Sequence, residues 1–368
     1  MEERDEGASR KLLFISPCTP DPQGTGWEQR AFSFLSAYAK FMDVELWFSP
    51  TFDNPELGRT ANLTRLCVSM TSFRPAAIRD GLSASRKRLN QSLATSDVVH
   101  VSRLRQVVST IDHKSIVWDI DELSWSASRQ ASTDRQQYLS ELSSNFRKCR
   151  RVFASSHLER KQAHFDEITV IPNVAFDPGL RNPAPAEKAP VLLFVGNLNY
   201  SPNMDGLIFF NGSVLPELAR KIPDVLVNVI GRSPITEGVR AAVDHLRNTG
   251  RFQFFFDVPS VTPYYLQAAA SIAPILSGGG TRIKIVESFA HHCPVISTSK
   301  GCEGLEVAHR KHLLIEDDPR DFAMACAELI QGPGLGSEMT ETAYRFFECN
   351  HSQSVVDKLL FSALQDVA

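Results

Sequence analysis

Short apolar runs alternate with segments of helical apolar spacing along most of the chain, and the alternation stops once and then restarts. In the first half the spacing predicts strands over 11–16, 44–48, 98–101, 116–120, 152–154 and 168–171, with a helix over 27–40. Strands that are apolar at every position are buried on both faces, which requires a mainly parallel sheet covered by helices. The interruption is FDPGLRNPAPAEKAP, residues 176–190, whose four prolines suit neither a helix nor a ladder. Beyond it strands are expected over 191–196, 225–231, 252–256, 271–276 and 294–298, with helices over 205–221 and 281–291. A helical tail from Asp321 breaks near 331–336 and resumes from Ser337. The expectation is an α/β chain of two Rossmann-like domains, 1–175 and 176–349. Ligands bind such sheets outside the carboxyl ends of the strands, so a cleft between the two domains is the expected site.

Composition narrows the function. Lysine plus arginine (39) nearly balance aspartate plus glutamate (42), for a net charge of −3, which argues against nucleic acid as a partner. No apolar run reaches the ~18 residues of a membrane span, and the charged start MEERDEGASRK is no signal peptide, so a cytoplasmic chain is expected. Seven cysteines without a C-x-x-C pair indicate neither a disulfide framework nor a zinc knuckle.

The stretch richest in chemistry is SGGGTRIKIVESFA, residues 277–290. Gly278, Gly279 and Gly280 free the backbone for a tight turn, Thr281 suits an N-cap, and Ile283, Val286, Phe289 and Ala290 share a helix face. Arg282 and Lys284 fall in the first turn, where the helix dipole disfavours cations unless an anion binds. A diphosphate would satisfy both, with Glu287 one turn later; a surface pair of Lys284 with Glu287 beside a plain loop is the other reading.

Gly24 and Gly26 lie in a loop before a helix, a weak fit to a dinucleotide fingerprint, and Arg30 one turn on could meet a phosphate or a carboxylate. His100 ends the run DVVHV and is either structural or reactive. Asp119, Asp121 and Glu122 cluster at a strand end, suited to polar-substrate binding, proton transfer or helix capping. The adjacent His291 and His292 lack a third ligand at metal-like spacing, and no metal site is expected. Seven basic residues between 74 and 105 form either a solvated face or a surface for anionic lipid head groups at the cytoplasmic membrane.

Together these segments resemble the family 4 retaining glycosyltransferases of the GT-B fold, in the branch that makes bacterial exopolysaccharide and other surface glycans. The likeness rests on VLLFVGNLNYSPNMDGL, VNVIGRSP, DVPSVTPYYLQAAASIAPIL, GGGTRIKIVESFA, PVIST, GCEGLEV and HLLIEDDP, in that order. It implies transfer of a sugar from a nucleotide-sugar donor to a glycan or lipid-linked acceptor with retention, without a cofactor or metal. It implies an acceptor-binding first domain, onto which the C-terminal helix, about 350–368, crosses back, and a donor-binding second domain. Arg282, Lys284, Gly279, Gly280 and Thr281 would hold the diphosphate, with Gly24 and Gly26 closing over it. Glu287 would meet the ribose, and Asp257 and Val258 the base. Gly196 and Asn197 form the second domain's first loop. His100 would sit by the sugar, and with Asp121 and Glu122 it completes the candidate catalytic set.

The sequence also departs from the family pattern. Gly279 stands where many members carry a glutamate eight positions before Glu287, and the loop 196–203 lacks their Arg and Lys. Phe256, His292 and Val174 stand where relatives favour glycine. A catalytically weakened binding subunit and a nucleotide-sugar epimerase are the alternatives on the same fold; a nicotinamide dehydrogenase fits least.

Overall fold

The computed structural model describes residues 9–49, 63–73, 84–120, 132–163, 165–180, 189–279 and 282–367. The chain forms two compact units, Met1–Pro172 with Gln353–Ala368, and Asn173–Ser352.

The first unit runs β1 (Lys11–Ser16), α1 (Gly26–Tyr38), β2 (Asp43–Phe48), β3 (Ser69–Ser72), α2 (Ala84–Thr95), β4 (Val98–Ser102), α3 (Arg105–Thr110), β5 (Ile116–Asp119), α4 (Ser132–Lys148), β6 (Cys149–Ala154), α5 (His157–Ala163) and β7 (Ile168–Val170). Its strands are parallel in the order β3-β2-β1-β4-β5-β6-β7, so the winding reverses between β1 and β4. Leu12 to Ile15 are wholly buried, as a central strand covered on both faces requires. α1 starts on a capping box in which Thr25 N donates to Glu28 Oε2 at 2.6 Å. The C-terminal helix of the chain (Gln353–Leu364) belongs to this unit: Gln353 Nε2 donates to Ser33 O at 3.0 Å, Lys40 pairs with Asp357, and Phe361 meets Phe41 edge-on.

The second unit runs β8 (Val191–Val195), α6 (Ser201–Phe209), a π turn (Phe210–Val214), α7 (Leu215–Lys221), β9 (Leu226–Gly231), α8 (Glu237–Asn248), β10 (Phe252–Phe256), α9 (Thr262–Gln267), β11 (Ala270–Ala273), α10 (Ile283–Ala290), β12 (Val295–Ser297), β13 (Leu314–Ile315), α11 (Pro319–Gln331) and α12 (Pro333–Asn350). The six strands are parallel in the order β10-β9-β8-β11-β12-β13, and the winding reverses between β8 and β11. The π turn has a local cause. Pro216 has no N–H for residue 212, and Leu215 N reaches back to Phe210 O instead. Leu192, Phe194, Leu207, Phe210, Val227 and Phe322 pack in the core beneath this helix.

Some boundaries differ from the sequence expectation. β3 (SMTS) is a half-exposed edge strand with one large apolar residue, so it carries no apolar run. β11 stops at Ala273 because Pro274 follows. The tail breaks only at Gly332, since Pro333 is pre-organised to open the next helix. α10 ends in a complete Schellman motif, Cys293 N to Ser288 O at 2.9 Å and His292 N to Phe289 O at 3.1 Å. His292 therefore takes φ +49°, the backbone region glycine normally fills, and its ring stacks on Tyr344 with centroids 4.1 Å apart. Among the described residues no helix is long and apolar enough to cross a membrane.

Candidate active site

The second unit gathers its polar side chains at the carboxyl ends of β8, β9, β10 and β11, around the reversal point. β8 runs into Gly196, whose N–H keeps the ladder by donating to Ile230 O at 2.9 Å. A Cβ on Gly196 would lie 2.9 Å from Asn203 Nδ2 and 3.0 Å from Lys284 Nζ. Asn203, in the first turn of α6, donates from Nδ2 to Asn197 O at 2.7 Å. Its Oδ1 accepts from Lys284 Nζ at 2.6 Å, and that ammonium also lies 4.1 Å from the centroid of Phe194. Burial first, and then the neighbouring Arg282 cation, push the Lys284 amine well below the ordinary lysine range; Glu287 opposes them.

A polar chain continues across the sheet edge. Asn197 Oδ1 accepts from Asn199 N at 3.0 Å, and Asn199 Nδ2 donates to Ser233 O at 3.0 Å. Ile235 N donates back to Asn199 Oδ1 at 2.8 Å, so the loops after β8 and β9 are fastened together. Ser233 donates its N–H and hydroxyl to Asp257 Oδ2. Asp257 holds φ +51° at the end of β10, with Arg232 4.0 Å from its carboxylate. Its carboxylate is thus occupied in bracing the β9–α8 loop. Val258 packs in the small cluster that contains Ile230 and Tyr265.

Glu287 stands one turn along α10 from Lys284. Tyr265, wholly buried, donates its hydroxyl to Glu287 Oε2 at 3.1 Å and stacks on His291 at 4.4 Å. His291 Nδ1 donates to Glu287 O at 2.7 Å, which leaves Nε2 to accept from Thr262 Oγ1 at 3.0 Å. The same contacts leave His291 as a brace for α9 and α10.

The glycine loop before α10 is organised by Arg282. The helix begins at Ile283 with Arg282 in the N-cap position, where a cap at Thr281 was expected. Gly280 and Thr281 themselves lie outside the described residues, as do Asp121 and Glu122. The buried guanidinium donates to Gly279 O at 2.9 Å, Gly278 O at 3.1 Å and Ser277 O at 3.2 Å. Three carbonyl dipoles offset a charge that the helix N-terminus alone would disfavour. Its Nη groups are therefore committed to the loop, while Nε is buried without a partner among the described residues. Gly278, at φ +90°, brings this loop down on the one after β8: a Cβ there would meet Tyr200 Oη at 2.6 Å and Pro202 Cγ at 2.9 Å. Among the described residues nothing lies within 4 Å of where a Cβ on Gly279 would stand.

The first unit corrects the expectations for His100, Gly24 and Gly26, and gives Arg30 a carboxylate, one of its two expected partners. His100 is wholly buried between Phe14, Phe34 and Phe153, and Nδ1 shares a 2.9 Å hydrogen bond with Tyr38 Oη. Burial, with Arg30 nearby, lowers its basicity well below the ordinary imidazole range. A neutral core histidine of this kind reaches no substrate. Arg30 and Asp119 form a buried bidentate pair, at 2.9 and 2.6 Å, and Arg30 Nη1 also donates to Ile171 O. Neither is available to a phosphate or an acceptor. Gly24 and Gly26 belong to the α1 cap: Gly24 leaves room for the Glu28 side chain, and Gly26 is the first helical residue. Of the basic residues between 74 and 105, Arg103 lies over Trp27 and Arg105 bridges Glu141 at 3.3 Å; Arg74 and Arg79 lie outside the described residues.

Asn199, Asn203, Ser233 and Tyr265 had no individual role in the sequence expectation, the first two entering it only within the loop 196–203. The signal for the first two was present, as three asparagines crowd the seven residues after a buried strand, NLNYSPN.

Two parallel α/β units, each reversing its winding beside its first strand, are the architecture of the GT-B glycosyltransferases. Residues 189–332, the sheet of the second unit, match the model of the family described as glycosyl transferases group 1. A protein of 44.6 kDa in the cps region of Klebsiella pneumoniae is 27% identical over 175 residues, which are 46% of this chain and 45% of that one. The match therefore spans less than half of that relative. Among solved structures, Anabaena HepE in complex with UDP and glucose superposes with a TM-score of 0.74 at 13% identity, covering 96% of this chain and 99% of that one. Sucrose-phosphate synthase of Thermosynechococcus elongatus gives 0.72 at 14%, covering 97% and 99%. The pneumococcal O-GlcNAc transferase GtfA, in complex with UDP and GlcNAc, gives 0.69 at 11%, covering 98% and 99%.

Proposed function

We propose that the chain transfers a glycosyl group from a nucleoside diphosphate sugar to a glycan or lipid-linked acceptor, with retention, and that its second unit binds the donor. One observation carries this reading: the Lys284 ammonium at the winding reversal has a neutral amide, Asn203, as its acceptor. Held in this way beside a second cation, and offset only in part by the Glu287 carboxylate, the ammonium gains when a further anion arrives. A diphosphate supplies that anion, and charge develops on it as the anomeric bond breaks. The acceptor hydroxyl oxygen bonds to the anomeric carbon as the carbon–oxygen bond to the diphosphate breaks, and the hydroxyl proton passes to the departing phosphate oxygen. Glu287, braced by Tyr265, takes the ribose hydroxyls. The surface-glycan setting rests on the cps-region relative alone.

The test is a thermal-shift and turnover screen with UDP-, GDP- and dTDP-sugars. UDP-glucose and UDP-GlcNAc come first, because HepE and GtfA are described with UDP and those sugars. Stabilisation by a nucleotide that vanishes in Lys284→Met supports the assignment; equal stabilisation of that variant refutes it. Gly279, standing where the family resemblance places a glutamate, favours a second reading, donor binding without turnover. Free nucleotide released from a bound donor excludes that reading.

A further inference from the structure

The donor reading leaves the first unit's winding reversal without a ligand, and an exposed aromatic side chain stands there. Trp27 is the second residue of α1, directly after the loop that leaves β1. It is 48% exposed, whereas Trp47 and Trp118 are buried at 1% and 2%. Arg103, the first residue beyond β4, lays its guanidinium 3.5 Å from the centre of the Trp27 ring. β1 and β4 are the two neighbouring strands at which this sheet reverses. Arg103 reaches that position in the left-handed backbone region, φ +59°, with its N–H donating to Asp119 O at 2.8 Å. A glycine would adopt this backbone without strain, so the arginine side chain is kept at a conformational cost. A large apolar ring left in water, at the edge where parallel sheets bind ligands, and fixed by a cation, has the form of a stacking platform.

We propose that Trp27 and Arg103 form the subsite for a pyranose ring of the acceptor glycan, an inference that rests on the sugar-transfer reading above. The C–H face of a pyranose is flat and apolar and matches the exposed face of an indole. The guanidinium covers one side of the Trp27 ring and sets its orientation, while the exposed part of the indole receives the sugar. The platform lies wholly in the first unit and uses none of the groups assigned to the donor.

The experiment compares the full-length wild type with Trp27→Ala, Trp27→Tyr and Arg103→Gly on an array of defined bacterial oligosaccharides. Hits are followed by titration, and UDP-sugar thermal shifts are measured in parallel. The expected result is wild-type binding of a glycan, at least tenfold weaker in Trp27→Ala, recovered to within about threefold in Trp27→Tyr, with the nucleotide-sugar shift unchanged. Arg103→Gly is expected to lose glycan binding. Equal glycan binding by Trp27→Ala, or no glycan bound by a wild type that does bind a nucleotide sugar, overturns the platform. Absence of any nucleotide-sugar shift in the wild type counts instead against the donor reading, and the glycan titration still decides the platform. Should Trp27→Ala fail to fold, the Trp27→Tyr and Arg103→Gly pair decides it by the same criteria.

Discussion

Lys284 Nζ donates to Asn203 Oδ1 across 2.6 Å, joining the first turn of α10 to the first turn of α6 at the two sides of the winding reversal. The bond orients a cation without neutralising it. Binding and stability therefore pull in opposite directions at this residue, and pH separates them. The folded-state amine titrates below its unfolded value of about 10.4. Between the two values the unfolded chain holds a proton that the folded chain does not, so stability without ligand rises with pH in that window. A bound nucleoside diphosphate raises the folded value and shrinks the window. Urea unfolding from neutral pH to pH 10, with and without the nucleotide, reads the difference; Lys284→Met is expected to abolish both the rise and the ligand effect.

Gly196 has no room for a methyl group. In Gly196→Ala the new carbon would stand 2.9 Å from Asn203 Nδ2 and 3.0 Å from Lys284 Nζ, and displace both. Both atoms are the far ends of flexible side chains, so their shift costs little stability. Nucleotide affinity is expected to fall further than stability does, because Lys284 is the cation proposed for the diphosphate and Asn203 orients it. Denaturant midpoints and nucleotide titrations on the same variant compare the two losses.

Arg282 acts through the loop it holds. Its fork reaches the carbonyls of residues 277, 278 and 279 together, a geometry an ammonium does not reproduce. Arg282→Lys is therefore expected to lose about 1.5–3 kcal/mol and to recover little of what Arg282→Ala loses. Chemical denaturation of the two variants checks this. A lysine that restored full stability would show that charge alone matters there.

His100 marks the limit of what the chain discloses by pattern. The runs of Val and Leu define the strands, and the order of strands and helices defines the class of fold, because burial on both faces leaves no other apolar arrangement. A histidine in a strand reads the same whether its side chain serves a site or fills the core; only the rings of Phe14, Phe34 and Phe153 around it decide. Arg30 and Asp119 are likewise 89 residues apart, and nothing local announces their pairing. The glycines and cations of 278–284 stood out in the sequence as a candidate site, since they break local rules. The division of labour between them did not: Arg282 turns back on the loop and Lys284 turns toward Asn203, and both choices are made by tertiary contacts.

A structural His100 has measurable consequences. His100→Phe keeps the aromatic packing and is expected to leave nucleotide-sugar turnover per folded molecule unchanged, whereas a group in contact with the sugar would not tolerate it. The pH response fixes the sign. The folded imidazole is held below its unfolded value of about 6.5, so the unfolded state binds the proton first and stability falls as pH drops below that value. His100→Phe removes this contribution and flattens the acid limb of the stability profile.

His292 offers the sharpest test of backbone against side chain. The Schellman motif imposes φ +49° on whatever residue stands there, a conformation that costs an L-residue about 1–2 kcal/mol. The imidazole recovers part of this by stacking on Tyr344. His292→Ala keeps the strain and loses the ring; His292→Gly loses the ring and the strain together. The glycine variant is therefore expected to be more stable than the alanine variant by about 1 kcal/mol. Thermal unfolding of the pair, compared at one pH above the imidazole range, measures that difference; an alanine variant as stable as the glycine one would show that α10 releases its cap and that the left-handed turn is not what fixes the end of the helix.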